Sequence, residues 1–146
     1  MKNIIILLAL CLLPFAGLPT AQAQTKEETM AWIKEKLAEY GAADDKTKVV
    51  DITISPCQIS WREIWYQDNI QRGSSTYSFN PGDAGMWTFK TDEYGHLIVI
   101  SESRTIERLL DSGKIYYYSE FYICDGEKNL GINMAKALNY LATFCK

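Results

Sequence analysis

The stretch from Asn129 to Cys145 constrains this chain more than any other. Leu130, Met134, Ala137, Leu138, Leu141, Phe144 and Cys145 recur three and four residues apart, whereas Asn133, Lys136, Asn139 and Thr143 fall on the other side. The spacing predicts an amphipathic helix with one buried face. Such a face needs an apolar partner surface, and the segments before it read mostly as strands, so the expected partner is a sheet.

The opposite end of the chain reads as a secretory signal. Lys2 precedes the apolar run Ile4 to Leu13, and Ala21-Gln22-Ala23 offers a small-x-small cleavage site. A membrane anchor needs about 20 consecutive apolar residues, and Pro14, Gly17 and Pro19 interrupt this run sooner. Cys11 follows the bulky Leu10, where lipid attachment calls for a small side chain. We therefore expect a signal peptide over residues 1–23 and a single α+β domain over residues 24–146. That domain is expected in the periplasm or outside the cell, with no transmembrane segment in the mature chain. Cleavage removes one lysine and no carboxylate, which takes the net charge from −3 to −4. A mildly acidic chain with no cluster of Lys or Arg implies no nucleic-acid partner. A domain of this length needs no metal to fold, since it buries roughly two thirds of the surface that the unfolded chain exposes.

Thr25 and Glu28 form a capping box, each able to satisfy a backbone N–H of the first turn, and Met30, Ile33, Leu37 and Tyr40 follow at helical spacing. A helix is expected from Lys26 to Tyr40, ended by Gly41 in a left-handed conformation. Lys34, Glu35, Lys36 and Glu39 are expected in solvent. Val50, Ile52 and Ile54 then alternate with polar residues, and Pro56 marks an edge or a bulge. Cys57, Ile59, Trp61 and Trp65 share the next strand's dry face, opposite Gln58, Ser60, Arg62 and Tyr66. A turn within Asn69–Ser74 leads to Tyr77 and Phe79. The loop Asn80–Gly85 should reverse the chain into a return strand carrying Trp87 and Phe89. His96–Ile100 opens another strand, and Glu102–Leu110 fits either a strand or a short helix. Asp111-Ser112-Gly113-Lys114 is a hairpin signal. Beyond it Ile115, Tyr117, Phe121 and Ile123 should face the core, with Tyr116, Tyr118, Glu120 and Tyr122 on the wet side.

The order is an N-terminal helix, six or seven antiparallel strands in a bent sheet or partial barrel, and a closing C-terminal amphipathic helix. This order resembles the pleckstrin-homology-like superfold. The resemblance implies a fold and carries over no functional residue. The export signal, the Thr25-Lys26-Glu27-Glu28 helix start and the Phe144-Cys145 ending also resemble small secreted proteins of Gram-negative bacteria, a likeness that implies a compartment and no activity.

No motif commits the chain to a chemistry. His96 is the single histidine and follows a turn, where a solvated role is usual. The mature cysteines Cys57, Cys124 and Cys145 form no Cys-x-x-Cys pair, so no metal site is expected. No phosphate loop or Gly-x-Gly-x-x-Gly is present, and no cofactor is expected. With the hairpin turn near Gly113, opposed residues sum to about 225, which sets Glu120 opposite Thr105 and closest to Arg104 and Glu107 rather than Glu102, so a structural ion pair is expected instead of an acid/base couple.

Trp61, Trp65, Trp87, Tyr77, Phe79 and Phe89 all fall on expected dry faces and read as core. Tyr116, Tyr118 and Tyr122 fall on the wet face and would form an amphipathic patch suited to a ligand or partner, unless the N-terminal helix covers them. The expected function is that of an exported non-enzymatic domain binding a protein, peptide or small apolar ligand. The alternative is a small hydrolase or isomerase with His96 or Asp92 as base. A cystatin-type protease inhibitor stands third, because the Gln-x-Val-x-Gly loop is missing.

An exported chain with three mature cysteines is expected to hold one disulfide. A helix of some 15 residues would separate Cys124 from Cys145 by roughly 20 Å, far beyond disulfide reach. Cys57 and Cys145 both share phase with core residues, so their pairing is favoured over Cys57 with Cys124; the fully reduced state also stays open.

Overall fold

A computed structural model describes residues 25–42, 44–93, 96–124 and 126–145, so the signal expected over residues 1–23 lies outside the described residues. The elements are α1 (Lys26–Tyr40), β1 (Thr47–Ser55), β2 (Gln58–Gln67), β3 (Ile70–Phe79), a 3-10 turn (Pro81–Asp83), β4 (Trp87–Thr91), β5 (Leu97–Ser101), β6 (Ile106–Leu110), β7 (Ile115–Tyr118), β8 (Glu120–Ile123) and α2 (Leu130–Ala142). The fold is α+β. Among the described residues, eight antiparallel strands lie in two open sheets, ordered β1-β2-β3-β6-β7 and β4-β5-β8. Two helices flank them, with α1 packed on β1 and α2 on β4 and β5.

The eight strands exceed the six or seven expected because long strands are broken. β5 and β6 pair with β8 and β7 respectively, in registers that differ by four residues: Ile106 opposes Tyr118, but Ile100 opposes Glu120. Residues 102–105 absorb this difference as a bulge, and such an insertion bends a sheet. β3 pairs antiparallel with β6, and β4 pairs antiparallel with β5. Since β5 and β6 run the same way, so do β3 and β4. The loop Asn80–Gly85 therefore does not reverse the chain; it steps from one sheet to the other. The ambiguous stretch resolves as strand β6.

The core sits where the two sheets meet. Trp61, Phe79, Trp87 and Phe121 are buried against one another with ring centroids 4.9 to 6.2 Å apart. Ile33 and Leu37 of α1 and Leu130, Met134, Leu138 and Leu141 of α2 close this cluster. Two residues of the expected α2 stripe behave otherwise. Phe144 lies past the helix end and is exposed, packed edge-on to Tyr140. Cys145 is bonded to Cys57, in the turn between β1 and β2, with Cα atoms 5.2 Å apart. This disulfide joins the end of the chain to the first hairpin. Phe89 is also exposed, because its face of β4 lies beyond the aromatic cluster, against Gly131.

The capping box at Thr25 forms as expected. Gly41 does not take a left-handed conformation: its φ is −70°. A Cβ there would collide with the Leu37 carbonyl, so glycine serves close approach rather than a positive φ. Lys36 is not solvated. It is buried, with Nζ 2.6 Å from Glu127 and also near Glu35 and Glu39. Together with the Cys124 N–H, which donates to the Tyr40 carbonyl at 2.7 Å, it ties the segment after β8 to the end of α1.

Candidate functional site

The five-stranded sheet turns one face toward the core, and part of that face stays open to solvent. Directly opposed residues of neighbouring strands share a face. Trp61, Tyr77, Arg108 and Tyr116 are such a row across β2, β3, β6 and β7. The next row toward the hairpin turns holds Glu63, Ser75 and Leu110. Trp65 opposes Gly73, and its ring lies so close over Gly73 that an added Cβ would run into it.

Two adjoining cavities open on this face and share Arg108 and Tyr118. The first, of about 480 Å³, is walled by Trp65, Tyr116 and Leu110 and carries Arg72 and Asp111 at its rim. The second, of about 240 Å³, is lined by Glu63, Tyr77, Phe121, Glu120 and Tyr122. The three tyrosines singled out in the sequence therefore line one continuous cleft, Tyr116 in the first cavity, Tyr122 in the second and Tyr118 in both.

Their arrangement differs from the expected wet row. Tyr118 opposes the buried Ile106, which places β7's even residues on the core side, whereas Phe121 and Ile123 are the buried residues of β8. The alternation changes phase at Ser119, whose carbonyl accepts from the Ser101 N–H at 2.7 Å. Ile115 and Tyr117, expected dry, are exposed for the same reason. Met30, Ile33 and Leu37 do not cover the tyrosines, since α1 packs on β1 and α2.

The Arg108 guanidinium lies over the Tyr77 ring, 5.3 Å from its centroid, and its Nε donates to Ser75 Oγ at 3.1 Å. Among the described residues no carboxylate pairs with it. Trp61 and Tyr77 stack with planes 8° apart, so the cation rests on a two-ring base. Glu63 accepts from the Trp61 indole N–H at 3.2 Å. Burial pushes its carboxyl above the ordinary range, against the lowering effect of the Trp61 and Tyr77 donors and the Arg108 charge. Burial, then the nearby Glu63 charge, pushes the Tyr77 phenol up as well. The Asp111 carboxylate takes the Ser74 hydroxyl at 2.6 Å and the Ser74 N–H at 2.5 Å, which hold its pKa down.

Glu63 and Arg108 did not stand out in the sequence. The signal for Glu63 was its position between Trp61 and Trp65, in phase with the dry face of β2. The groups nominated for a catalytic reading, Asp92 and His96, bond to each other in the β4–β5 turn with His96 Nδ1 2.9 Å from Asp92 Oδ2, and neither lines the cleft. Glu120 opposes Ile100, not the bulge, and pairs with Lys90 at 3.7 Å instead of Arg104. Cys124 keeps a free thiol that donates to the Ala42 carbonyl at 2.6 Å, and burial raises its pKa.

Comparison with protein-family models, with curated proteins and with solved structures returns no match. Among the described residues no helix is long and apolar enough to cross a membrane.

Proposed function

We propose that the protein is an exported, non-enzymatic binding domain whose cleft takes a small ligand with a flat apolar body and an anionic group. The observation that carries this reading is Arg108. A guanidinium seated on an aromatic ring, with no carboxylate in salt-bridge contact among the described residues and opening into an aromatic-walled cleft, suits a carboxylate or sulfonate attached to a ring. Trp65, Tyr116 and Tyr118 supply stacking surfaces for the body, and Arg72 adds positive charge at the rim. The Cys57–Cys145 bond is compatible with export to an oxidising compartment. The pleckstrin-homology-like reading rests on the meeting of two sheets around a core that a C-terminal helix closes.

An aryl sulfonate, an aryl carboxylate and an arylamine titrated against the protein, followed by heteronuclear NMR, test the proposal. The two anions should shift the Trp65 indole and Arg108 resonances, and Arg108→Gln should weaken them at least tenfold. Equal binding of the amine, or binding indifferent to Arg108→Gln, would overturn it.

A second reading follows from Glu63. A half-buried carboxyl with a raised pKa beside Arg108 and Tyr77 has the surroundings of a general acid or base, as in a hydrolase or isomerase. That reading requires Glu63→Gln to abolish turnover of a bound compound while leaving its affinity intact.

A further inference from the structure

β7 ends the five-stranded sheet, and among the described residues no strand pairs with its outer edge. The other edges carry obstacles. β1 is broken by a register shift between Val50 and Thr53, with Asp51 at φ 52°. Both backbone groups of Trp87 in β4 are taken by Asn139. The end of β8 is taken by the Tyr40 carbonyl. Proteins commonly blunt exposed edges with charges, bulges or covering groups, because an open edge pairs with another strand. Among the described residues β7 has none of these. Its Ile115, Tyr116 and Tyr117 are 49%, 44% and 57% exposed, and no charged residue falls between Lys114 and Glu120.

We propose that β7 pairs antiparallel with β7 of a second copy of this chain, about a two-fold axis at Tyr116. The backbone decides the register. Leu110 N–H donates to the Lys114 carbonyl, so Lys114, Tyr116 and Tyr118 direct their backbone groups toward β6. Ile115 and Tyr117 direct theirs outward. Pairing Ile115 with Tyr117 of the second copy, and the reverse, joins all of these outward groups in four hydrogen bonds. Tyr116 then faces Tyr116 of the second copy, and Ile115 packs beside Tyr117 of the second copy, an aliphatic–aromatic cross-strand contact. The antiparallel sense also brings the Lys114 end of one strand toward the Glu120 end of the other. The change of phase at Ser119 stops a partner strand from running on along β8, which confines the pairing to β7.

Tyr116 lines the cleft, so the same axis places Tyr116 of the second copy at the cleft wall. The pairing itself does not depend on what the cleft binds. Sedimentation velocity on the disulfide-bonded protein across a hundredfold concentration range reads it directly. The wild type should pass from monomer to dimer, and Ile115→Lys or Tyr117→Lys should raise the dissociation constant at least tenfold with unchanged thermal melting. Cysteine cross-linking, in a Cys124→Ser background, reads the register: Tyr116→Cys should form an intermolecular disulfide at least tenfold faster than Tyr118→Cys. A wild type that stays monomeric throughout, a dimer indifferent to both lysine substitutions, or equal cross-linking at the two positions would overturn the proposal.

Discussion

Asn139 holds Trp87 by both of its backbone polar groups: the side-chain oxygen accepts from the Trp87 N–H at 2.9 Å, and the side-chain nitrogen donates to the Trp87 carbonyl at 2.8 Å. A primary amide presents one acceptor and two donors at the spacing of a peptide unit, so it can substitute for a neighbouring strand. This contact fixes α2 against the outer edge of β4 and satisfies groups that lie partly buried. Asn139→Ala should destabilise the fold by about 2 kcal/mol, since it leaves buried polar groups without partners. Asn139→Asp keeps the acceptor but sets a carboxylate against a carbonyl, and should cost at least as much at neutral pH. Denaturant unfolding of the two variants, with hydrogen exchange at the Trp87 amide, checks both. An unchanged midpoint would show that α2 docks without this contact.

The cleft carboxyl and the hairpin carboxyl should respond to pH in opposite senses. The folded pKa of Glu63 is raised by burial, so its contribution to stability is fully present below the unfolded value, near 4.3, and is lost as pH rises through the folded value. Glu63→Gln should therefore stabilise the protein at neutral pH and lose that advantage near pH 4. The folded pKa of Asp111 is lowered by the Ser74 hydroxyl and amide, so its contribution is present above about 3.9 and is lost as pH falls through the folded value. Asp111→Asn should destabilise at neutral pH, with the difference closing in acid. Melting temperatures of wild type and both variants from pH 3 to pH 8 measure the two trends, and parallel curves would contradict them.

What the sequence disclosed was what local spacing controls. The capping box at Thr25 and Glu28 and the three-and-four repeat through Leu37 set α1 to the residue, because both act within one or two turns. The stripe Leu130 to Leu141 located α2 and its buried face, but its continuation to Phe144 and Cys145 overran the helix, which ends at Ala142. The Cys57–Cys145 bond was expected from the phase of each cysteine with nearby core residues, although Cys57 lies in the turn before β2 and Cys145 past the end of α2. The bend was not legible, because it depends on a four-residue difference between two pairing registers, which spacing within one strand does not reveal. That hidden bulge also moved Glu120 from Arg104 to Lys90, and the change of phase at Ser119 opposite it exchanged the faces of Tyr117 and Tyr118. Asn139 and Lys36 look like ordinary surface residues until a distant partner, Trp87 or Glu127, comes into place. Glu63 is different, since its phase with Trp61 and Trp65 already marked a carboxylate on a dry face.

The face of α2 predicts a sharp contrast between neighbours. Leu138 is buried in the aromatic core and Lys136 is exposed. Leu138→Asp places a charge in that core at a cost of several kcal/mol, against a total stability of about 5 to 15 kcal/mol, and should abolish soluble folded protein. Lys136→Ala should melt with the wild type. Lys36→Ala, on α1, should fall between them, because it releases Glu127 and loosens the segment after β8. Thermal melting of the three variants decides the order, and equal melting of all three would mean that neither helix docks as described.

Cys57 and Cys145 are separated by 88 residues in sequence, and their bond closes a loop that includes every strand after β1 and the whole of α2. In the chain-entropy model such a loop stabilises by up to about 4 to 5 kcal/mol through restriction of the unfolded chain. Cys57→Ser with Cys145→Ser should lower the unfolding free energy by about 2 to 5 kcal/mol, while Cys124→Ser, which removes only a thiol bonded to the Ala42 carbonyl, should cost less. Phe144 and Tyr140 stack edge-on just before the bridge, so its loss should free the end of the chain before it unfolds the sheet. Hydrogen exchange then separates the two effects: faster exchange over residues 141–145 with retained protection in β2 and β3 is the expected pattern under native conditions. Non-reducing peptide mapping should recover a fragment linking Cys57 to Cys145, and a fragment linking Cys57 to Cys124 would contradict the packing of Cys124 against the end of α1.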